Sequence, residues 1–490
     1  MQKVSVLCQD FSYECLQGDC EKEVESIVYD SRKVTENSMF FCMVGAKWDA
    51  HDFCQEVVEK GATVLVVSKK VENIPSHVTV ILVKDTRKAL ALASSAWFDY
   101  PSKELKMIGI TGTKGKTTVT CLIKSILEQA GYKVGLIGTI ETVIGETHIP
   151  MANTTPEPYI LQMYLRQMVE NGCDTAVMEV SSQGLMQSRV EGIHFNISAF
   201  TNIEKDHISP TEHKDFEDYF YWKKQLFYRT DVGIFNADDV RLDALDKTQF
   251  PIQIKTFGIK DGVDYQATAI EKDFTDGKMG MRFVVSALGE EAVRINTPGT
   301  FSVHNALLAM AVADAMQVPF KAMQEALDKA VVKGRMEPVF LDGRFSFFID
   351  YAHNAMALES LLNTVKEYAA GRVICIFGCG GNRSKDRRFE MGEVSGNLAD
   401  LTIITTDNPR FEEPKEIMKD IETGILKTTG AYVMVEERKE AVRYAIANAQ
   451  DKDMIILAGK GHEDYQEICG VKYHMDEREL VEGVWKEMNA

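Results

Sequence analysis

The chain predicts an α/β protein of three domains, with a phosphate-loop nucleotide-binding sheet in the middle and a mostly parallel, doubly wound sheet at the end. Three observations carry that prediction. Residues 109–118 read Gly-Ile-Thr-Gly-Thr-Lys-Gly-Lys-Thr-Thr, after an apolar run suited to a buried strand and before a helical pattern. Beyond residue 338, apolar runs alternate regularly with helical stretches. A length of 490 residues also exceeds what one hydrophobic core usually supports.

The first domain, 1–103, alternates short apolar strands with helical patterns, as at 61–68, and ends in the linker-like Asp99-Tyr-Pro-Ser-Lys103. The second, 104–337, opens with a strand at 107–110. After the glycine-rich loop, Val119, Leu122, Ile123, Ile126 and Leu127 recur at helical spacing as far as Gly131. Further strands are predicted at 176–182, 198–202 and 232–239. The third domain, 338–490, carries strands near 345–349, 373–377, 401–405, 432–435 and 454–457, separated by helices, so its sheet is expected to be mostly parallel. Neither an internal repeat nor a low-complexity segment interrupts this plan.

The loop has a chemical reading of its own. Polyphosphate binding needs backbone N–H groups that close around oxygen anions, and Gly112 and Gly115 supply the turn. Lys116 brings a point charge to the outer phosphates, and the Thr117 hydroxyl can reach a Mg²⁺ ion, so ATP is the expected ligand. Composition sets the limits: 45% hydrophobic and 26% charged residues describe an ordinary globular protein. A net charge of −18 argues against non-specific binding to nucleic acid or anionic membrane, so an anionic ligand must find a local basic pocket. Ten dispersed cysteines without a C-x-x-C pair suit reduced thiols in a cytoplasm. No export signal and no membrane span are predicted.

Ligands of open parallel sheets gather at the carboxyl ends of strands. In the third domain those positions read Asp350-Tyr-Ala-His-Asn354, Gly378-Cys-Gly-Gly-Asn-Arg383, Thr406-Asp-Asn-Pro-Arg410 and Gly459-Lys-Gly-His-Glu463. The second domain offers Glu179-Val-Ser-Ser182 and Thr201-Asn-Ile-Glu-Lys-Asp-His207. One polar cluster is an ordinary turn, whereas several on one sheet edge make a site.

Taken with Asp30-Ser-Arg32, Asn153-Thr-Thr-Pro156, His304-Asn305 and Gly334-Arg335, the order and spacing of these motifs resemble the Mur ligases, ATP-dependent amide-forming enzymes of peptidoglycan synthesis. The resemblance extends over nearly the whole chain and is to the branch that adds the third residue of the peptide. It implies a UDP-N-acetylmuramoyl-dipeptide and a diamino acid, meso-diaminopimelate before lysine, as substrates of a monomeric cytoplasmic enzyme. A sister ligase of the folylpolyglutamate or cyanophycin type, or a scaffold without turnover, is the alternative.

Roles follow from the resemblance residue by residue. Catalysis falls to Lys116, Glu179, His207 and Lys223, the last as a CO₂-derived carbamate. Metal ligands are Thr117, Glu179, His207 and carbamylated Lys223. ATP is expected at Gly112, Thr113, Lys114, Gly115, Lys116, Thr117, Thr118, Asn305 and Arg335, with Asp350, Tyr351 and His353 approaching from the last domain as it rotates. The UDP-substrate is expected at Ser31, Asn153, Thr154, Thr155, Ser181, Gln187 and Arg189. The amino acid is expected at Asp407, Asn408, Arg410, Gly459 and Glu463, with Arg410 left desolvated and unpaired when a far carboxylate is missing. Read alone, His207 is a core or capping histidine, Lys223 a solvated helix lysine, and Asp30 a turn residue. Lys114, Gln183, Ala50, Asn382, Ser384 and Asn354-Ala355 depart from the family pattern, and they bear on fine substrate contacts more than on the reaction.

Overall fold

The computed structural model describes residues 1–45, 48–151, 153–206, 208–209, 212–275, 278–341 and 343–489. They form two compact units, Met1–Gln266 with Ser286–Leu288 and His304–Met323, and Ala267–Val285 with Gly289–Val303 and Gln324–Ala490.

The first unit holds two main sheets. In the smaller, the strands run in the order Tyr13–Gln17, Thr79–Val83, Ala62–Val67, Ser38–Phe41, Ser26–Val28, and only the first is antiparallel to its neighbour. The larger is nine-stranded. Its parallel part runs Val134–Ile137, Thr175–Glu179, Lys106–Thr111, Phe195–Phe200, Thr230–Asn236, Gln253–Gly258, Tyr265–Gln266, and Glu141–Ile144 with Thr147–Pro150 adds an antiparallel edge. Lys106–Thr111 and Thr175–Glu179 lie inside the sheet with both faces covered, which is why they read as unbroken apolar runs. The strands expected at 176–182, 198–202 and 232–239 end two or three residues earlier, at Glu179, Phe200 and Asn236, because the polar residues that follow belong to the loops.

The stretch expected to be a linker is a fixed turn. Asp99 and Tyr100 both take positive φ, Pro101 and Ser102 are buried, and Arg166 donates to the carbonyls of Phe98 and Asp99 at 2.9 and 2.8 Å. Phe98 also packs edge-on against Tyr159, with ring centroids 5.1 Å apart.

In the second unit a six-stranded sheet runs Glu337–Val339, Ser346–Asp350, Met454–Ala458, Val373–Phe377, Leu401–Ile404, Tyr432–Met434, parallel except for its first strand. Alternate residues feed two cores. Phe348, Cys375, Phe377, Ile404 and Ile456 pack with Leu362, Met391 and Ile421, and Phe347, Ile374, Ile376, Ile403 and Leu457 pack with Val442, Ala445 and Val481. Helices therefore cover both faces, as a doubly wound sheet requires. A three-stranded antiparallel sheet and the hairpin Tyr465–Ile468/Val471–His474 complete this unit. Among the described residues, no helix is long and apolar enough to cross a membrane.

Candidate active site

The phosphate loop is built as its residue types dictate. Lys106–Thr111 runs into Gly112 at φ 143°, Gly115 takes φ 84°, and Lys116 opens the helix Lys116–Gln129. A Cβ at Gly112 would lie 1.9 Å from the Thr201 hydroxyl oxygen, so only glycine fits. The next strand's exit stitches the loop in place. Thr113 N–H donates to the Asn202 carbonyl and Lys114 N–H to Asn202 Oδ1, both at 2.9 Å, while the Thr201 hydroxyl donates to the Lys114 carbonyl at 2.6 Å. The Lys114 side chain turns to Glu204 at 2.7 Å and leaves this backbone geometry intact. Lys116 Nζ donates to the carbonyls of Gly112 and Thr113 at 2.9 and 3.0 Å, and Thr118 is half-buried in the first helical turn.

Glu179, fully buried at the end of its strand, is the hub. The Thr117 hydroxyl donates to Oε1 at 2.9 Å, Thr139 N–H to Oε1 at 2.8 Å and the Thr139 hydroxyl to Oε2 at 3.0 Å. A hydroxyl and a carboxylate are the donors a hard divalent cation takes, with phosphate oxygens and water filling the remaining positions. Among the described residues, no three His, Cys, Asp or Glu side chains converge as a metal cage. His207 lies outside the described residues.

Lys223, buried, is the penultimate residue of the helix Phe216–Lys224. Its Nζ donates to the Gly112 carbonyl at 2.7 Å and lies 4.6 Å from the centre of the Tyr219 ring. Burial, reinforced by the Lys116 charge, pushes its pKa well below the ordinary lysine value. Lys224, next in the chain, packs over Phe220 with its Nζ 4.8 Å from the ring centre and is less buried. The phosphate loop thus selects one of two adjacent lysines.

Of the residues expected for the UDP-substrate, Thr154, Thr155, Ser181 and Arg189 meet the same hub. Thr155 accepts from Ser181 N–H and donates to the Glu179 carbonyl, both at 3.0 Å, and Thr154 lies 3.0 Å from the Thr139 hydroxyl. Ser181 caps a short helix by accepting from Gly184 N–H. Arg189 is buried and donates to the Thr155 carbonyl at 2.7 Å and to Gln187 Oε1 at 2.8 Å, with Glu157 at 2.6 Å as its counter-ion. Asn153 is exposed. Ser31 stands apart from this group, on the turn Ser31–Lys33. There Asp30 caps Arg32 N–H and pairs with its guanidinium, which holds the Asp30 carboxyl down to about 2. Asn305 is buried and, among the described residues, makes no hydrogen bond to the phosphate loop. Its neighbour His304 bonds Asp238 at 2.7 Å.

In the second unit, the remaining residues expected for ATP form one cluster. Arg335 lies over the Tyr351 ring at 4.8 Å, and His353 and His462 pack against that ring at 4.7 and 4.6 Å. Asp350 accepts from Met336 N–H and Ala352 N–H at 2.9 and 2.8 Å, and burial pushes its carboxyl up. Burial first, then the Arg335 charge, pushes the His462 imidazole down to about 4.

The residues expected for the amino acid converge as well, with one correction. Asp407 and Asn408 are buried, and Gly459 approaches so closely that a Cβ there would lie 3.0 Å from Asp407 Oδ2. Asn408 donates to Glu463 Oε2 at 2.8 Å. Arg410, at φ 52°, was expected to be unpaired without substrate, but its Nε lies 3.1 Å from Glu467 Oε2 and its Nη1 donates to the Gly381 carbonyl at 2.8 Å. The hairpin strand Tyr465–Ile468 supplies that carboxylate, and backbone bonds from Arg410 N–H to the Glu467 carbonyl and from Cys469 N–H to the Arg410 carbonyl fix the pairing. Sequence reasoning also missed Thr139, visible only as a residue following a strand, and Lys460, quoted inside Gly459-Lys-Gly-His-Glu463 without a role.

Three models of one family match most of the chain. Residues 23–97 match the Mur ligase family catalytic domain, 110–313 the Mur ligase middle domain and 334–461 the Mur ligase glutamate ligase domain. The chain is 42% identical to UDP-N-acetylmuramoyl-L-alanyl-D-glutamate–2,6-diaminopimelate ligase of Caldanaerobacter subterraneus subsp. tengcongensis, covering 96% of this chain and 97% of that one. It is 42% identical to the enzyme of that name numbered 1 in Clostridium acetobutylicum, over 99% of this chain and 100% of the other. A solved structure of a UDP-N-acetylmuramoyl-L-alanyl-D-glutamate–2,6-diaminopimelate ligase superposes with a TM-score of 0.74 at 26% identity, covering 100% of this chain and 99% of its own.

Proposed function

The chain belongs to the Mur ligase family, and from that premise we propose that it is the ATP-dependent ligase that adds meso-diaminopimelate to UDP-N-acetylmuramoyl-L-alanyl-D-glutamate in peptidoglycan precursor synthesis. The observation that carries this reading is the meeting at buried Glu179 of the phosphate loop, through Thr117, with the Thr154, Thr155, Ser181 and Arg189 group.

In this reading the free carboxylate of the dipeptide attacks the γ-phosphorus of ATP. ADP leaves, and an acyl phosphate forms. The amine of diaminopimelate then attacks the acyl carbon, phosphate departs with the bonding pair, and the amine loses a proton. Little covalent work falls to the protein, which positions the reactants and neutralises phosphate charge. Lys116 exchanges the carbonyls of Gly112 and Thr113 for phosphate oxygens, so its charge is already aimed by the loop. Thr117 and Glu179 would hold magnesium, and the ion, when bound, neutralises charge on phosphate oxygens.

Lys223 suits carbamylation because a buried lysine with a lowered pKa presents the neutral amine that CO₂ requires. The neutral amine nitrogen adds to the carbon of CO₂, one proton leaves, and the side chain at Gly112 becomes an anion. Arg189 and Ser181 face the sugar-peptide, Ser31 the uridine end, and Arg335, Asp350, Tyr351 and His353 the nucleotide. Asn408, Arg410 and Glu463 read the far end of the diamino acid. In this reading the enzyme acts as a monomer in the cytoplasm.

Phosphate release with UDP-N-acetylmuramoyl-L-alanyl-D-glutamate, measured separately with meso-diaminopimelate, lysine and ornithine, tests the proposal. Turnover with diaminopimelate supports it. Absence of turnover with every amine refutes it and favours a nucleotide-binding scaffold.

A further inference from the structure

Lys460 is fully buried, yet it takes part in no reaction step above. A lysine taken out of water persists only where its charge is paired and its N–H groups are used. Here Nζ donates to Asn408 Oδ1 at 3.0 Å and to Glu463 Oε2 at 3.2 Å, the two side chains that frame the amino-acid site. The Tyr465 ring lies 5.3 Å from it.

The two bonds settle a choice that the residues cannot make alone. An asparagine amide can present either its oxygen or its NH₂ to a neighbour, and the surrounding donors decide. Asn408 Oδ1 accepts from Lys460 Nζ and, at 2.9 Å, from Glu467 N–H, so Nδ2 is turned to Glu463 Oε2 at 2.8 Å. One N–H of that amide and Glu463 Oε1 then remain for a ligand. The backbone beneath is braced by Arg438, which donates to the carbonyls of Thr406 and Ala458, the residues preceding Asp407 and Gly459, at 3.3 and 3.0 Å.

The charges balance in the same way. Lys460 offsets Glu463, and Glu467 offsets Arg410, before any substrate enters. Beside the Asp407 carboxylate, these two neutral pairs accept a zwitterionic group, one carboxylate and one ammonium, without a net change of their charge. The far end of diaminopimelate is such a group, and the far end of lysine, an ammonium alone, is not.

We infer that Lys460 is a positioning residue for the amino-acid substrate: it orients the Asn408 amide and the Glu463 carboxylate so that both meet the zwitterionic far end of the diamino acid. This rests on the proposed diaminopimelate-adding reaction. Lys460 touches no reacting atom.

The test is the full-length Lys460→Met variant, assayed by phosphate release against each substrate in turn. KM for diaminopimelate should rise about 10- to 100-fold, because one charged hydrogen-bonding partner is lost from each of the two reading groups. KM for ATP and for the UDP-linked substrate should stay within about threefold, and kcat at saturating amine should fall far less than KM rises. The preference for diaminopimelate over lysine should narrow, since Glu463 is freed to attract an ammonium alone. Lys460→Gln, which keeps a donor of shorter reach, should fall between wild type and Lys460→Met. An unchanged KM for diaminopimelate in a folded variant overturns the inference, as does an equal rise in all three KM values. Failure of both variants to fold would assign Lys460 to stability alone and overturn it too. A wild-type enzyme without activity on diaminopimelate would instead defeat the proposed reaction.

Discussion

Substitution of Arg410 by alanine should erode selectivity for diaminopimelate without disabling the phosphate chemistry. Diaminopimelate differs from lysine by one carboxylate at the far end of its side chain, and a guanidinium can hold that group by parallel N–H bonds. A hydrogen bond to a charged group is worth about 1.5–3 kcal/mol net, and leaving a buried cation without any partner would add to that. The second contribution is absent here. Arg410 Nε keeps Glu467 and Nη1 keeps the Gly381 carbonyl whichever amine is bound, and the side chain is 22% exposed. Only the first contribution remains, which sets the wild-type preference at about 10- to 150-fold in kcat/KM. Arg410→Ala should bring the ratio to within about threefold of unity, chiefly by raising KM for diaminopimelate, with kcat on lysine nearly unchanged. The assay is phosphate release across a concentration series of each amine at saturating ATP and UDP-linked substrate. A wild-type ratio near one, or a ratio that Arg410→Ala leaves unaltered, refutes the assignment of Arg410 as selector. A wild-type preference far above 1000-fold would refute the pairing argument, since it requires the penalty of an unpaired cation that Glu467 removes.

Lys116→Ala should lower kcat by about 10²- to 10³-fold or more while the melting temperature stays close to wild type, because the Gly112 and Thr113 carbonyls it bonds lie in a loop that water can satisfy; near-normal turnover would remove this loop from the mechanism. Lys223→Ala should be comparably impaired, and added formate or acetate should restore part of the rate if an anion is what Gly112 faces; full activity without rescue defeats the carbamate. His462, pushed down to about 4 from 6.5, binds a proton more tightly in the unfolded chain, so unfolding takes up a proton between those values. The stability it contributes is fully present above pH 6.5 and is lost as pH falls toward 4. His462→Gln should therefore flatten the fall in melting temperature across that window by an amount corresponding to about 1–3 kcal/mol, and an unchanged profile would contradict the shift.

What the sequence disclosed and what it withheld follow one physical division. The phosphate loop was legible because its chemistry is local: strand, two glycines with positive φ, lysine and threonine all lie within 12 residues of chain, Lys106–Thr117, and backbone geometry alone aims them. Strand ends in the sheet of the second unit were legible for a related reason, since apolar runs stop where the chain leaves the core. Charge partners were not. Arg410 was visible as a cation beside a proline turn, but its counter-ion, Glu467, lies 57 residues later on a hairpin whose docking only tertiary structure fixes. Lys223 and Lys224 are chemically equal on paper, and burial against the Gly112 carbonyl, 111 residues earlier in the chain, separates them. A buried cation acquires its meaning from what neutralises it, so motif reading finds which residues face a ligand before it finds how strongly each prefers one. For this site that distinction decides the expected magnitude: an unpaired Arg410 would reject lysine almost completely, and a paired one discriminates by no more than the bond that the missing carboxylate would have made.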